Sequence, residues 1–203
     1  AAALYGSRAN NGVVQIFTKR GQSGKPRITV SSRVMTDAIR KTLEVNEHPF
    51  DAAGNPVQRY DHQELIFRRA YGTETHASVS GGTGDTRYFL SGALFKNQGI
   101  MRGVDYERTT GRLRLDQKLT DWATLSLGGA YTVSDNNELP SGGLGDLYGV
   151  LDGFLFGPNT YDARRDPKTG EYSQAGAYAN PAEAIDRYEF RQTTNRFIGD
   201  VHL

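Results

Sequence analysis

Hydrophobic and polar residues alternate along several segments of the chain, as they do in a strand whose two faces meet different surroundings. The clearest case is residues 106–119, where leucines share one face and mostly charged side chains share the other. The apolar set is Leu113, Leu115 and Leu119, and the opposite set is Arg108, Arg112, Arg114 and Asp116. Residues 26–35, 123–133 and 193–203 show the same alternation, and residues 75–80 and 86–96 are weaker candidates. The pattern predicts six strands.

The connections between these strands alternate between long and short. Short, turn-like sequences stand at 81–85 (GGTGD) and at 120–121 (TD), whereas long connections lie near 36–74, 97–105 and 134–192. This alternation is typical of a transmembrane antiparallel β-barrel, which has short periplasmic turns and long outer loops. Six strands with two open edges are not viable in lipid, so we expect the chain to be a fragment of a larger all-β barrel.

Helical periodicity is confined to residues 1–9 and 63–71, and a turn at Asn10, Asn11 and Gly12 leads into a predicted strand over residues 13–18. No run of about 18 apolar residues predicts a membrane-spanning helix. No signal peptide precedes Tyr5. Either the protein is cytosolic, or its own N-terminus lies upstream.

Composition narrows the function classes. The 203 residues carry a net charge of +1, which gives no strong field for nucleic acid, and we expect no nucleic-acid partner. Cysteine is absent, which excludes disulfides, thiolate metal sites and a cysteine nucleophile. The 24 glycines, 11 tyrosines and 9 phenylalanines favour β structure with many turns.

Motifs for catalysis or cofactor binding are weak. The glycines at 6 and 12 lack the lysine of a phosphate-binding loop, and the four histidines lack metal-ligand spacing. Residues 162–172 fail the order of a calcium loop, and Asp166 to Gly170 reads as a hairpin turn. We expect no catalytic residue, no metal and no cofactor. A glycosidase pair among the loop acids stays open on spacing alone, although solvated loop acids are the simpler interpretation. These acids are Asp146, Asp152, Asp162, Asp166 and Glu171.

Three stretches resemble the SusC/RagA-like family of TonB-dependent outer-membrane receptors. "AAALYGSRANNGVVQIFTKRG" is similar to the end of the plug domain of that family. "YDHQELIFRRAYGTETHASVSGGTGDTRYFLSGALFKNQGIMRG" resembles its first barrel strands. "NPAEAIDRYEFRQTTNRFIGDVHL" resembles the return from the third outer loop into the next strand. The likeness covers essentially the whole chain, except that residues 136–179 carry no family signature.

The resemblance implies an outer-membrane barrel of 22 strands with an α+β plug domain inside it. Residues 1–22 then correspond to the end of the plug domain and residues 23–203 to the first part of the barrel. Members import oligosaccharides or oligopeptides, without covalent chemistry. Their implied partners are the TonB-ExbB-ExbD complex, a SusD-like surface lipoprotein and outer-membrane lipid.

Two groups of side chains are then candidates for function. Charge on the lipid face at mid-membrane costs about 2 to 4 kcal/mol for each residue, so the arginines at 108, 112 and 114 are expected to face the lumen. Leu113, Leu115, Leu125 and Leu127 then face lipid. Aromatic rings in the third loop are candidates for substrate contact, or else they pack the loop or a partner lipoprotein. The candidates are Tyr148, Phe154, Phe156 and Tyr161.

A soluble all-β module that binds carbohydrate is the alternative from another class. It requires the apolar faces of the strands to meet in a protein core instead of lipid.

Overall fold

A single antiparallel sheet of six strands, in sequential order, dominates the computed structural model. The structure describes residues 13–14, 18–140, 149–174 and 176–203. The strands are β1 (Gly24–Asp37), β2 (Ala70–Gly82), β3 (Thr86–Gln98), β4 (Asp105–Lys118), β5 (Thr124–Asn137) and β6 (Arg191–His202). The prediction of an all-β antiparallel fold, open at both edges, is confirmed.

Within the described ranges, three short helices lie outside the sheet. They are α1 (Gln63–Ile66), α2 (Val150–Leu155) and α3 (Pro181–Arg187). The helix predicted over 63–71 is therefore right only for its first part, because Ala70 already pairs with Asp37 in the sheet. The predicted helix at 1–9 lies outside the described residues, as does most of the predicted strand at 13–18. In the part of the chain that is described, no helix is long and apolar enough to cross a membrane.

All long connections lie at one end of the sheet and all short ones at the other. The long ones cover residues 38–69, 99–104 and 138–190, and the short ones cover 83–85 and 119–123. Each short turn is closed by the backbone: Thr83 N donates to Thr86 O at 2.7 Å, and Leu119 N donates to Ala123 O at 2.9 Å. The sheet is therefore a meander of hairpins whose loops alternate in length.

Continuous register gives the sheet two distinct faces. The ladder shifts only between Gly24 and Arg27, so that alternate residues keep the same side across the strands. One side, the apolar face, exposes large side chains: Ile28 is 73% exposed, Val34 75% and Phe197 71%. The other side, the polar face, carries the arginines of β4 with serines, threonines and small residues, together with Phe89, Phe95 and Ile198. No described element covers the apolar face.

Most buried apolar residues lie in the long connections, although Ala70 and Phe89 are buried within the strands. Ile66, Leu139, Val150 and Ala184 form the centre of this cluster, and it draws on the first and third long connections. The second connection joins through a bridge between Phe67 and Met101. Arg68 of the first connection also binds the second one, since its side chain donates to Gly99 O at 3.1 Å and to Val104 O at 3.0 Å. The three loops therefore form one packed cap at their end of the sheet.

Local sequence explains where α3 begins. The Asn180 side chain accepts hydrogen bonds from Ala182 N at 2.9 Å and Glu183 N at 3.2 Å, and Pro181 occupies the first helical turn. Both features are favourable helix starts, because the cap satisfies free amides and proline needs no amide partner there. The fully buried Asn180 and Pro181 thus fix the return of the third loop towards β6.

Candidate functional site

The three predicted arginines lie on the polar face of β4, opposite Leu113 and Leu115. Arg108 stands in register with Phe95 and Ser134, Arg112 with Ser91 and Ala130, and Arg114 with Phe89 and Gly128. Leu125 and Leu127 lie on the apolar face, in register with Gln117 and Leu115. The three arginines share a face but not an environment.

Arg114 is a buried ion-pair residue, with 7% of its surface exposed. Its guanidinium donates to Asp200 on β6, two strands away, and its Nε lies 3.6 Å from Asp116 Oδ1. The bridge to β6 passes over Gly128, where a Cβ would lie 2.8 Å from Arg114 Nη1. Glycine at this position of β5 therefore allows Arg114 and Asp200 to meet.

Residues 18–23 run across the polar face near the short turns. Gly21 is buried against the β3 backbone, where a Cβ would lie 2.8 Å from the Tyr88 carbonyl carbon. On either side, Arg20 Nη1 lies 3.8 Å from Asp116 Oδ1, and Ser23 Oγ donates to Thr83 O at 2.9 Å. We name residues 18–23 the strap.

Asp116 is the acceptor shared by this region. Ser126 Oγ donates to Asp116 Oδ1 at 2.7 Å, and the same oxygen faces Arg114 and Arg20. An arginine, a serine and the strap thus converge on one carboxylate at the turn end of the polar face. The arrangement is that of a structural joint between strap and sheet.

Arg108 and Arg112 are exposed, unlike Arg114. The Arg108 guanidinium carbon lies 5.5 Å from the centroid of the Phe95 ring, close enough for a cation–π contact. Between them lies Thr110, whose hydroxyl hydrogen-bonds with that of Thr132 at 3.2 Å. This part of the face presents guanidinium groups with no ion-pair partner among the described residues, beside hydroxyl-bearing side chains.

A cavity of about 410 Å³ opens between the first and third long connections. Its lining includes Leu43, Asn46, Tyr60, Phe154, Leu155 and Pro158. Asn159 holds the two loops together here: its side-chain oxygen accepts from Arg59 Nη1 at 2.9 Å, and its Nδ2 donates to Asn46 O at 2.9 Å. A cavity of this volume is within the range of ligand pockets.

The aromatic candidates do not converge on one surface. Phe154 packs against the buried cluster of the cap and lines the cavity. Phe156 is 59% exposed, with its ring 6.3 Å from that of Tyr178. Tyr148 lies outside the described residues.

Tyr161 is held inside the cap. Its ring lies 5.0 Å from that of His62, and its backbone oxygen lies 3.0 Å from His62 Nε2. The hydroxyl is buried without a hydrogen-bond partner among the described residues, and burial raises the pKa of Tyr161 to about 12. These contacts make Tyr161 a packing residue of the loop.

The loop acids are used by the loop itself. Asp166 accepts from Lys168 N at 2.7 Å and Thr169 N at 3.4 Å, and these amides lower the pKa of its carboxyl group. Gly170, with φ of +74°, completes the predicted hairpin turn, because this left-handed conformation favours glycine. Asp152 is buried in α2. Among the described residues, no cluster of histidines and carboxylates could hold a metal ion.

Sequence reasoning missed four residues near these sites. Asp200 and Arg196 lie on one face of the strand predicted at 193–203, but their relation to β4 depends on register across a 53-residue connection, which alternation alone does not fix. Asn159 lacks any periodic signal. Only Gly128 left a trace, since paired glycines inside a strand indicate a close approach of other atoms.

Comparison with known proteins places these features in context. No family model matches the chain. Over its full length it is 25% identical to the TonB-dependent receptor SusC of Bacteroides thetaiotaomicron, and the match covers 23% of that receptor. It is 27% identical, over 78% of its length, to the TonB-dependent receptor P3 of Formosa agariphila, of which 17% is covered. The chain thus spans less than a quarter of either relative.

Solved structures match at the level of the fold. The RagAB peptide importer in its open-open state superposes with a TM-score of 0.73 at 21% identity, over 100% of this chain and 29% of that one. Its closed-closed state gives 0.64 at 19% identity, over 98% of this chain and 29% of that one. The sheet is accordingly an open part of a barrel of that kind. These matches are named as receptors or importers, and none of them is named as an enzyme.

Proposed function

We propose, on the premise that the chain is a SusC/RagA-like part of a TonB-dependent receptor, that it takes part in importing a nutrient oligomer across the bacterial outer membrane. Residues 23–203 supply six neighbouring strands of the barrel wall, and residues 1–22 supply the end of the plug domain. The solute is an oligosaccharide or an oligopeptide, and the chain changes no covalent bond in it.

The observation that carries this proposal is the pair of unlike faces on a single sheet. Exposed side chains such as Ile28, Val34 and Phe197 lie together on one face, and no second sheet of the described residues covers them. Each fully transferred side chain of this size gains about 1.5 to 3 kcal/mol when it leaves water, so the face is suited to lipid. The arginines of the other face are suited to a hydrated interior.

The loop lengths give the orientation. The short turns at 83–85 and 119–123 belong to the periplasmic side, and the packed cap of long loops belongs outside the cell. Trp122, 88% exposed in the second short turn, stands where an interfacial aromatic girdle is expected. The strap then enters the sheet from the periplasmic end, as the end of a plug domain would.

The outer loops are the proposed place of first substrate contact. Among the candidate aromatic residues, Phe156 has the ring that is free to meet a solute, whereas Phe154 and Tyr161 support the cap. Tyr148 remains a candidate from the sequence alone. A SusD-like lipoprotein would cover this cap, and the TonB-ExbB-ExbD complex would act from the periplasmic side.

A soluble carbohydrate-binding module receives less support. That function needs a partner layer for the apolar face, and the buried apolar cluster of the described chain lies in the loops instead. The 410 Å³ cavity between the loops fits an importer as well as it fits a binding module.

Membrane location and energy dependence together test the proposal. The receptor gene that contains this chain is expressed in its host with and without TonB, and uptake of labelled oligosaccharides and oligopeptides is followed. We expect the protein in the outer-membrane fraction and uptake of one solute class only with TonB. Recovery of the receptor in the soluble fraction, or uptake that is indifferent to TonB, would contradict the proposal.

A further inference from the structure

Three arginines of the polar face stand around one point of the sheet. Arg108 and Arg112 lie on β4, two positions to either side of Thr110. Arg196 on β6 pairs with Thr132, which in turn pairs with Thr110, so it shares the row of Thr110 two strands away. All three side chains are exposed. We call this set the arginine triangle.

The arginine triangle has no carboxylate partner. Among the described residues, no acidic oxygen lies within 4.0 Å of these three guanidinium groups. Three carboxylates of this face are already engaged: Glu74 pairs with Arg33, Asp200 pairs with Arg114, and Asp116 faces Arg114 and Arg20. The positive charge at the triangle is therefore uncompensated by the sheet itself.

Three acidic residues of the outer cap are held by contacts within the cap. Glu183 pairs with Arg187 at 3.1 Å, Asp186 accepts from the Tyr172 hydroxyl, and Asp166 accepts from the amides of its own turn. None of these three carboxylates forms an ion pair with the arginine triangle. A solute that passes the cap therefore meets cations that have no carboxylate within 4.0 Å among the described residues.

The floor between the arginines leaves room for a ligand. Five side chains in register with the arginines or with Thr110 are small or hydroxyl-bearing: Ser91, Ala93, Ala130, Thr132 and Ser134. Two larger apolar side chains stand beside them, since Phe95 pairs with Arg108 and Ile198 pairs with Ala130. The Phe95 ring beneath Arg108 limits where that guanidinium can lie. Guanidinium groups above such a floor can bind carboxylate groups through paired hydrogen bonds.

We propose that the arginine triangle binds carboxylate groups of the imported solute, so that the solute class is an acidic oligomer. This inference rests on the proposed import function and names its substrate chemistry. Uronic acid units of an oligosaccharide and acidic side chains of a peptide offer the same carboxylate, and both fit the site.

Geometry predicts the length of that oligomer. Arg108 and Arg112 are four residues apart on one strand, which is about 13 Å at 3.3 Å per residue. Arg196 lies about 10 Å from Thr110 across the sheet, a distance of two strand spacings. A solute with one carboxylate reaches a single arginine, whereas an acidic trimer spans two. Binding should therefore strengthen with the number of acidic units.

The absence of cysteine from this chain permits a direct test. Thr110→Cys is introduced into the complete receptor in outer membranes, after replacement of any cysteine elsewhere in it. The new thiol is treated with an anionic and a cationic methanethiosulfonate of similar size. We expect the anionic reagent to react faster, and the ratio of the two rates to fall about tenfold when all three arginines become glutamine, since such clusters set potentials of a few kT.

A matched control removes the same charge elsewhere. Lys96→Gln, Arg164→Gln and Lys168→Gln together lower the net charge by three, but these side chains lie on the apolar face or in the third loop. The rate ratio should stay unchanged in this variant. If the rate ratio fell as much as in the triangle variant, the effect would come from net charge and not from the triangle, and the proposal would be overturned.

Protection by named probes completes the experiment. Trigalacturonate and triglutamate should each be tried against their neutral counterparts, maltotriose and triglutamine, as inhibitors of thiol modification. Protection by either acidic trimer that is lost when the three arginines are replaced by glutamine supports the proposal. The trimer that protects identifies the source of the carboxylate. Equal protection by neutral trimers, or none by any trimer, overturns it. A thiol that neither reagent reaches would also overturn it, because the plug domain then covers the triangle. TonB-dependent uptake is measured separately, so that a failure of the import proposal can be told apart from a failure of the carboxylate-binding proposal.

Discussion

Arg114 on β4 and Asp200 on β6 form an ion pair that crosses the intervening strand β5 at Gly128. Arg114 precedes the longest connection in the described chain, and Asp200 follows it. The Arg114 side chain is nine-tenths buried in this ion pair. Removing space at Gly128 therefore separates two charges that the fold brings together from distant parts of the sequence.

Gly128→Ala is expected to lower the midpoint of thermal unfolding of the receptor in detergent. Its Cβ would meet Arg114 and Asp200, and Arg114 would lose a buried partner. Because Asp200 is 44% exposed, we expect a loss of about 1 to 2 kcal/mol, below the 3 to 5 kcal/mol of fully buried pairs. Gly111→Ala is the control, since a Cβ there meets nothing within 4 Å. Equal losses in both variants would contradict the ion-pair explanation.

Leu115→Arg is expected to reduce the amount of folded receptor in outer membranes. The substitution places a charge on the apolar face, at a cost of about 2 to 4 kcal/mol near mid-membrane. Arg112→Leu is the control, because Arg112 is exposed on the polar face without an ion-pair partner in the described residues. Arg114→Leu is unsuitable, as it would remove the arginine partner of Asp200. Equal membrane yields of the two variants would refute the assignment of faces.

Tyr161→Phe and Tyr172→Phe should change stability in opposite directions. The Tyr161 hydroxyl is buried without a partner among the described residues, so its removal is expected to raise the free energy of unfolding by about 1 kcal/mol. The Tyr172 hydroxyl donates to Asp186, so its removal should lower stability by a similar amount. Denaturant unfolding of the two variants checks this. A destabilised Tyr161→Phe variant would mean that the hydroxyl has a partner.

Alkaline titration should find two tyrosines that ionise late. Burial raises the pKa of Tyr161 to about 12, and burial followed by the hydrogen bond to Asp186 raises that of Tyr172 to about 12. Both values exceed the ordinary 10.0. The stabilisation of the neutral phenols is therefore complete below pH 10 and is lost as pH rises from 10 to 12. Phenolate absorbance measures this, and each phenylalanine variant should lose one late-titrating group.

Strand periodicity predicted the sheet well because each strand faces two different surroundings. Residues 106–119 show the reason: leucines alternate with arginines, and the observed β4 ends only one residue earlier. Helices were harder. At residues 63–71 an apparent helical period gives way after Ile66, because backbone pairing of Ala70 with β1 outweighs weak helix propensity.

The candidate sites were predictable only as far as strand alternation reaches. It placed Arg108, Arg112 and Arg114 on one face, but it could not separate the buried Arg114 from its exposed neighbours. That difference depends on Asp200, whose position is set by the register of β6 after a long loop. The loop aromatics had no period at all, so burial of Tyr161 and exposure of Phe156 followed from packing alone.

The two outer strands carry a consequence for handling the chain. Every residue of β6 is exposed, as are all but one of β1, and each strand pairs on one side only. An unpaired strand edge is a template for any other strand with free backbone groups. Two copies of this sheet can therefore pair through their edge strands. Aggregation of the isolated chain would then reflect correctly formed strands that recruit one another, and blocking those edges would be the way to prevent it.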